Sequence, residues 1–108
     1  MLVNGRPYTN ENGSVDKALV DSLTDQERET LFKWIAVRIH KVNYINRKRS
    51  SYSLKHLFKD DTRIYVTNNQ FKDAMMSAGF LPADYDELNW HYAISERWLK
   101  SNHWNAER

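Results

Sequence analysis

The stretch TNNQFKDAMMSAGFLPADYDELNWHYAIS, residues 67–95, decides how this chain is read. Its first four residues, T-N-N-Q, have the capping-box pattern, in which a Thr hydroxyl and a Gln side chain satisfy two orphan backbone donors at a helix start. Phe71, Ala74, Met75 and Ala78 then fall on one face of a helix. Gly79 stands where a helix-ending glycine belongs, and Phe80 is placed to contact Met75. Beyond it, Leu81 leads in and Pro82 punctuates. Trp90, Tyr92 and Ile94 alternate within residues 89–95, so residues 80–95 read as a β-hairpin.

Working back from this stretch, "RIYVT" (63–67) is β-branched and aromatic, and reads as a short extended piece. Ser50 or Ser51 caps a helix running to about Lys59, with Leu54, Leu57 and Phe58 buried and Lys55, His56 and Lys59 pointing outward. Thr24 to Glu27, T-D-Q-E, is another capping box. It opens a helix to about Val42, with Leu31, Ile35, Ile39 and Val42 in one stripe and Phe32 widening it. Trp34 and Val37 lie off that stripe, which suggests contact on two sides. Ser14 is a candidate cap for a short helix carrying Val15, Leu19 and Leu23. Residues 3–14, "VNGRPYTNENGS", hold two Asn-Gly steps and a Pro; they read as an arm with a small hairpin at Asn4-Gly5. Downstream, Ser95 starts a further short helix, with Trp98 and Leu99 covering the core.

The expected architecture is therefore α+β: mainly helical with a small β-hairpin, one winged helix-turn-helix-like domain over residues 15–108, preceded by an arm, 1–14. Short strand, capped helix and hairpin in this order match that layout, in which the third helix enters the major groove. The third helix would present Asn68, Asn69, Gln70 and Lys72, and Asn and Gln suit bidentate contact with adenine. The plain alternative is that Asn and Gln at a helix start are caps. The hairpin tip is acidic, with Asp84, Asp86 and Glu87, whereas a wing that grips phosphate should be basic.

Charge is segregated along the chain. From Thr30 to Lys59 there are eight cations and no acid; the rest holds eight cations against all fourteen acids, a balance of −6, although the whole chain is +2. Such a bias suggests a surface for an anionic partner. The alternative is that folding returns Asp60, Asp61 or the acids at 84–87 onto the cations. Within the span, "NYINRKRSSYSLKH" (43–56) places Arg47, Lys48 and Arg49 before a helix N-terminus whose free N–H groups favour an anion. Ser51 and Lys55 extend this phosphate clamp, and Tyr44 or Tyr52 can stack on an unpaired base.

In 108 residues there is room for one compact domain, and 13% aromatic residues, four Trp among them, help so short a chain build a core. The absence of cysteine excludes disulfides and thiolate metal sites. No apolar run approaches the roughly 20 residues that span a bilayer, and the N-terminus lacks a signal-peptide layout. These features predict a cytoplasmic protein with no membrane association. His40, His56, His91 and His103 have no metal-ligand spacing, and no nucleophile elbow or phosphate-binding glycine loop is present. The expectation is a non-enzyme without metal or cofactor.

"YINRKRSSYSLKHLF", "YVTNNQFKDAMMSAGF" and "NWHYAIS" resemble a family of small proteins encoded on bacterial phages and integrative elements. That family carries I-N-R-x-x-S-S-Y-x-L-K-H followed by Y-V-x-N and an A-G-[FY] helix end. The resemblance covers roughly residues 44–95 and implies a mobile-element accessory protein. Two functions follow. One is a DNA-binding module using Arg47, Lys48, Arg49, Ser51 and Lys55 on the backbone and Asn68, Asn69, Gln70 and Lys72 on bases. The other is a counter-defence inhibitor, anti-CRISPR in kind, that blocks a host nuclease through Asp84, Asp86, Glu87 and Trp90. A third reading is a protein-only module or homodimer joined by Trp90, Trp98 or Trp104.

Overall fold

The computed structural model describes residues 1–106. The chain is α+β. Its strands are β1 (Leu2–Val3), β2 (Arg6–Pro7), β3 (Thr9–Glu11) and β4 (Ser14–Asp16). A 3₁₀ turn, Val20–Ser22, leads to the helices α1 (Asp25–Arg38), α2 (Ser51–Thr62), α3 (Asn68–Ser77), α4 (Glu96–Lys100) and α5 (His103–Ala106).

β1 pairs antiparallel with β2, and β3 with β4. Both turns are Asn-Gly with positive φ at each residue: Asn4 55° and Gly5 76°, Asn12 52° and Gly13 85°. This is the turn whose twist matches flanking strands. Asn10 Oδ1 accepts from the Gly13 N–H at 3.0 Å and fixes the second turn. The hairpin expected at Asn4-Gly5 is present, and residues 1–14 pack on α3 through β2. The helix expected from Ser14 is absent: Ser14 lies in β4, and only the 3₁₀ turn forms before Leu23.

The three main helices start as the residues dictate. Thr24, Ser50 and Thr67 each form a capping box, with Glu27, Ser53 and Gln70 respectively. α3 ends in a complete Schellman motif: Gly79 N–H donates to Met76 O at 3.0 Å and Phe80 N–H to Met75 O at 2.9 Å. α2 extends three residues past the expected end and stops at Arg63, which takes φ 66°. Trp34 is fully buried where α1, α2 and α3 meet. Its ring meets Phe58 and Phe71 edge-on at 5.5 and 6.0 Å, and its Nε1 donates to Asp61 Oδ2 at 2.7 Å.

Residues 80–95 depart most from expectation. They contain no paired strands, so the predicted hairpin, and with it the wing, is absent. Trp90, Tyr92 and Ile94 are all fully buried, as the alternation implied, but their partner is a different segment. Residues 90–95 run as a strap against 40–51. Val42 N–H donates to Ala93 O, Asn46 N–H to Tyr92 O, Ser51 N–H to Trp90 O and Ser95 N–H to His40 O, at 2.7–3.1 Å. This also explains why α1 stops at Arg38 rather than Val42. Ile39 turns extended, and the backbone groups after it bond the strap instead of the preceding helical turn.

None of the described helices is long and apolar enough to cross a membrane.

Candidate nucleic-acid interface

The structure divides the expected contact residues into those spent internally and those left free. α3 belongs to the first group. Asn69 is fully buried; its Nδ2 donates to the Pro7 and Ala18 carbonyls, both at 2.9 Å, and its Oδ1 accepts from Thr9 Oγ1 at 2.8 Å. Gln70 completes its capping box and donates to Ser22 Oγ at 3.1 Å. Lys72 is buried, with Nζ bonded to Thr9 Oγ1 at 3.0 Å and lying 4.9 Å from the Trp90 ring centre. Burial pushes its pKa down to about 8. Asn68 donates to Asn89 Oδ1 at 2.9 Å. The major-groove reading of this helix is therefore corrected: the two N-terminal hairpins and the following turn already occupy its polar start. Asp73 shows the same pattern, accepting from Arg6 at 2.7 Å and from Val20 N–H at 3.0 Å. Arg6 also reaches Asp21 at 2.9 Å, and the two carboxylates raise its pKa.

The basic loop is only partly free. Arg49 holds Glu96 through two bonds of 3.0 Å, and Asn46 Nδ2 adds a third at 3.1 Å. Arg49 and then Asn46 hold the Glu96 carboxyl below the usual range. The Lys48 and Arg49 N–H groups both donate to Asn46 Oδ1, at 2.9 and 3.2 Å, which shapes the turn. Ser51 is fully buried: its N–H donates to Trp90 O and its Oγ accepts from Trp90 N–H at 3.0 Å. Ser53 N–H is taken by Ser50 Oγ. The α2 N-terminus thus has two of its first three donors engaged, so the expected phosphate clamp reduces to exposed Arg47 and Lys48. Arg47 stands 3.9 Å from Glu87, a loose approach between exposed groups.

Folding returns some acids to the acid-free span, as the plain alternative supposed. Asp61 approaches Arg38 at 3.4 Å, and Glu96 and Glu87 meet Arg49 and Arg47. Among the described residues, Lys33, Lys41, Lys48, Lys55 and Lys59 make no ion pair.

Three of those lysines lie along α2 and its approach, and two stand among exposed rings. Tyr52 and Tyr65 are 51% and 59% exposed. Lys55, expected to point outward, is instead buried between them, its Nζ 5.2 and 4.8 Å from their centres, and Lys59 lies 5.9 Å from Tyr65. His56 meets the edge of Tyr52 at 4.6 Å. Burial, then the Lys59 charge, lowers the Lys55 pKa. Behind the tyrosines is an open cleft of about 420 Å³, bounded on the far side by Glu11 and Asp16 of the second hairpin and by Asn68 and Asn89. Tyr52 was legible as a stacking candidate beside Tyr44, but the sequence also grouped it with Leu54 in the core; Leu54 is buried and Tyr52 is exposed, so that grouping is corrected for Tyr52. Lys55 was legible as a cation. Tyr65 was not, because a β-branched and aromatic run reads as a strand. Only its place just past the end of α2 hints that it folds back beside Lys55 and Lys59.

The acidic turn also separates. Asp84 and Asp86 are exposed, while Glu87 lies 3.6 Å from His91 Nδ1. Trp90 is fully buried with its Nε1 bonded to Tyr85 O at 3.3 Å, so it is no surface contact. Trp104 is buried as well, and Trp98 is half-buried between the His40 and His103 rings. Among the described residues, no cluster of three His, Asp or Glu is placed to hold a metal ion.

Compared with known protein families, curated proteins and solved structures, the chain matches none.

Proposed function

We propose that this protein is a small nucleic-acid-binding module whose contact surface is the α2 face, and that it takes unpaired bases rather than reading a duplex. The observation that carries this reading is the pair of exposed tyrosines flanking Lys55, beside Lys59 and with Lys48 and Arg47 at the head of the helix. Aromatic faces next to uncancelled cations are what single strands use: bases stack while the backbone follows the charge. Duplex reading by α3 would require that helix to release the hairpins that cover it. This role fits an accessory protein of a mobile element.

The test is fluorescence anisotropy with labelled single- and double-stranded oligonucleotides over a salt series. Arg47, Lys48 and Lys59 together predict a log–log salt slope of about −2 on single strands. Tyr52→Ala and Tyr65→Ala each weaken binding by roughly 1–3 kcal/mol and leave the exposed sites' contribution to folding small. No binding of either nucleic acid at low ionic strength refutes the proposal. A duplex preference untouched by the tyrosine changes refutes the choice of face.

A second reading, docking on a host nuclease, has in its favour the exposure of Asp84 and Asp86. Charge reversal at these two positions should abolish co-purification with the nuclease; unchanged capture removes this reading.

A further inference from the structure

We infer that the cleft behind Tyr52 and Tyr65 is a nucleobase pocket that selects bases bearing an exocyclic amino group. The inference rests on the single-strand reading above and adds specificity to it.

The cleft's lining carries both signs of charge. Lys55 is on one side, and Glu11 and Asp16 are on the other. A phosphate entering it would meet two carboxylates, so the backbone belongs outside, on Lys59 and the basic loop. A base suits the interior. About 420 Å³ lies within the range of pockets that hold small ligands, and two aromatic rings stand at its mouth.

The polar groups then define which base edge fits. Carboxylates only accept and ammonium groups only donate. Asp16 is held in place, its two oxygens accepting from Ala18 N–H at 3.1 Å and Asn69 N–H at 3.2 Å. Glu11 is exposed on the hairpin, and its carboxylate has no hydrogen bond or ion pair among the described residues. Asn89 has its oxygen engaged by Asn68, which orients the amide and leaves its Nδ2 as a donor. The lining therefore offers acceptors at the hairpin and donors at Lys55 and Asn89. Cytosine presents an amino donor beside ring-nitrogen and carbonyl acceptors and complements this arrangement. Uracil turns a carbonyl oxygen toward the carboxylates in place of the amino group, and is repelled.

Oligo-dC and oligo-dU of equal length carry the same phosphates, so their comparison isolates the base edge. Anisotropy titrations should show dC bound roughly tenfold more tightly than dU, the scale of one good base-edge contact. Glu11→Ala and, independently, Asn89→Ala should each collapse that ratio toward one. Equal binding of dC and dU by the unmodified protein overturns the pocket while leaving the single-strand reading intact. A ratio that survives both substitutions also overturns it. Failure of both oligonucleotides to bind overturns the two together.

Discussion

Lys72 gives the fold a pH dependence of known sign. The side chain is buried under the second hairpin, bonded to Thr9 Oγ1, and in no ion pair among the described residues. Its pKa falls from 10.5 to about 8, chiefly because burial penalises the charged form. A lowered folded-state pKa for a base means that the unfolded chain binds the proton more strongly. Protonation therefore destabilises the fold below about pH 8, and stability rises as pH climbs from there toward 10.5. The full effect of such a shift is about 3 kcal/mol, and the part recovered between pH 7 and 9 is about 1 kcal/mol. The Met1 amino group is lowered by burial and then by the Lys72 charge, so it adds a dependence of the same sign below its ordinary value of 8.0. Urea denaturation of the parent and of Lys72→Met at pH 7, 8 and 9 reads the effect, because the variant loses both the Lys72 titration and the push of its charge on the amino group. The parent should gain stability over this range and the variant should gain markedly less. Above pH 10 the comparison stops being clean. Burial raises the Tyr92 pKa, so its contribution is present below pH 10 and is lost above it. Parallel curves for the two proteins between pH 7 and 9 would refute the assignment to Lys72.

Three further outcomes follow from the same packing. Asn69→Ala leaves the Pro7 and Ala18 carbonyls without their donor and should cost roughly 2–4 kcal/mol in urea titration; a loss below half a unit would mean the hairpins are held by other contacts. Arg49→Met removes the partner that lowers the Glu96 pKa, so the variant is less stable at neutral pH, and the gap to the parent closes as pH falls below about 4.5, as acid-unfolding curves would record. Gly13→Ala forces a Cβ onto φ 85° while meeting nothing within 4 Å, so the cost is backbone alone, about 1 kcal/mol, read as a lowered Tm.

What the sequence discloses here is local. The Thr24 and Thr67 caps, the serine cap of α2 and the Gly79 terminus depend on residues a few positions apart, and all are read from the string without knowledge of the fold. Period-two alternation at Trp90, Tyr92 and Ile94 correctly says which side is buried. It carries no information on which segment lies alongside, and the nearest candidate, residues 81–88, supplies the Ala83 N–H bond to His91 O but no paired strand. The start of α3 misleads for a related reason. Asn, Gln and Lys are usually exposed, so N-N-Q-F-K reads as a contact surface. Its burial depends on Pro7, Thr9 and Ala18, some sixty residues upstream, whose carbonyls and hydroxyl match the amides one for one. Of the candidate interface, Tyr52, Lys55, Arg47 and Lys48 were legible; the cleft was not, since its far wall comes from a segment that reads as an arm.

The clasp of the first hairpins on α3 also has a consequence for the order of assembly. Arg6 and Asp73 are 67 residues apart, and Thr9 and Asn69 are 60. At ordinary rates of synthesis about 3–12 s separate the emergence of one side from that of the other. An isolated two-stranded hairpin is marginal in water, so through that interval residues 1–16 lack the α3 contacts that hold them. A ribosome-bound chain stalled before residue 67 should be cut by protease within residues 1–16. One long enough to expose α3 beyond the exit tunnel should be protected there.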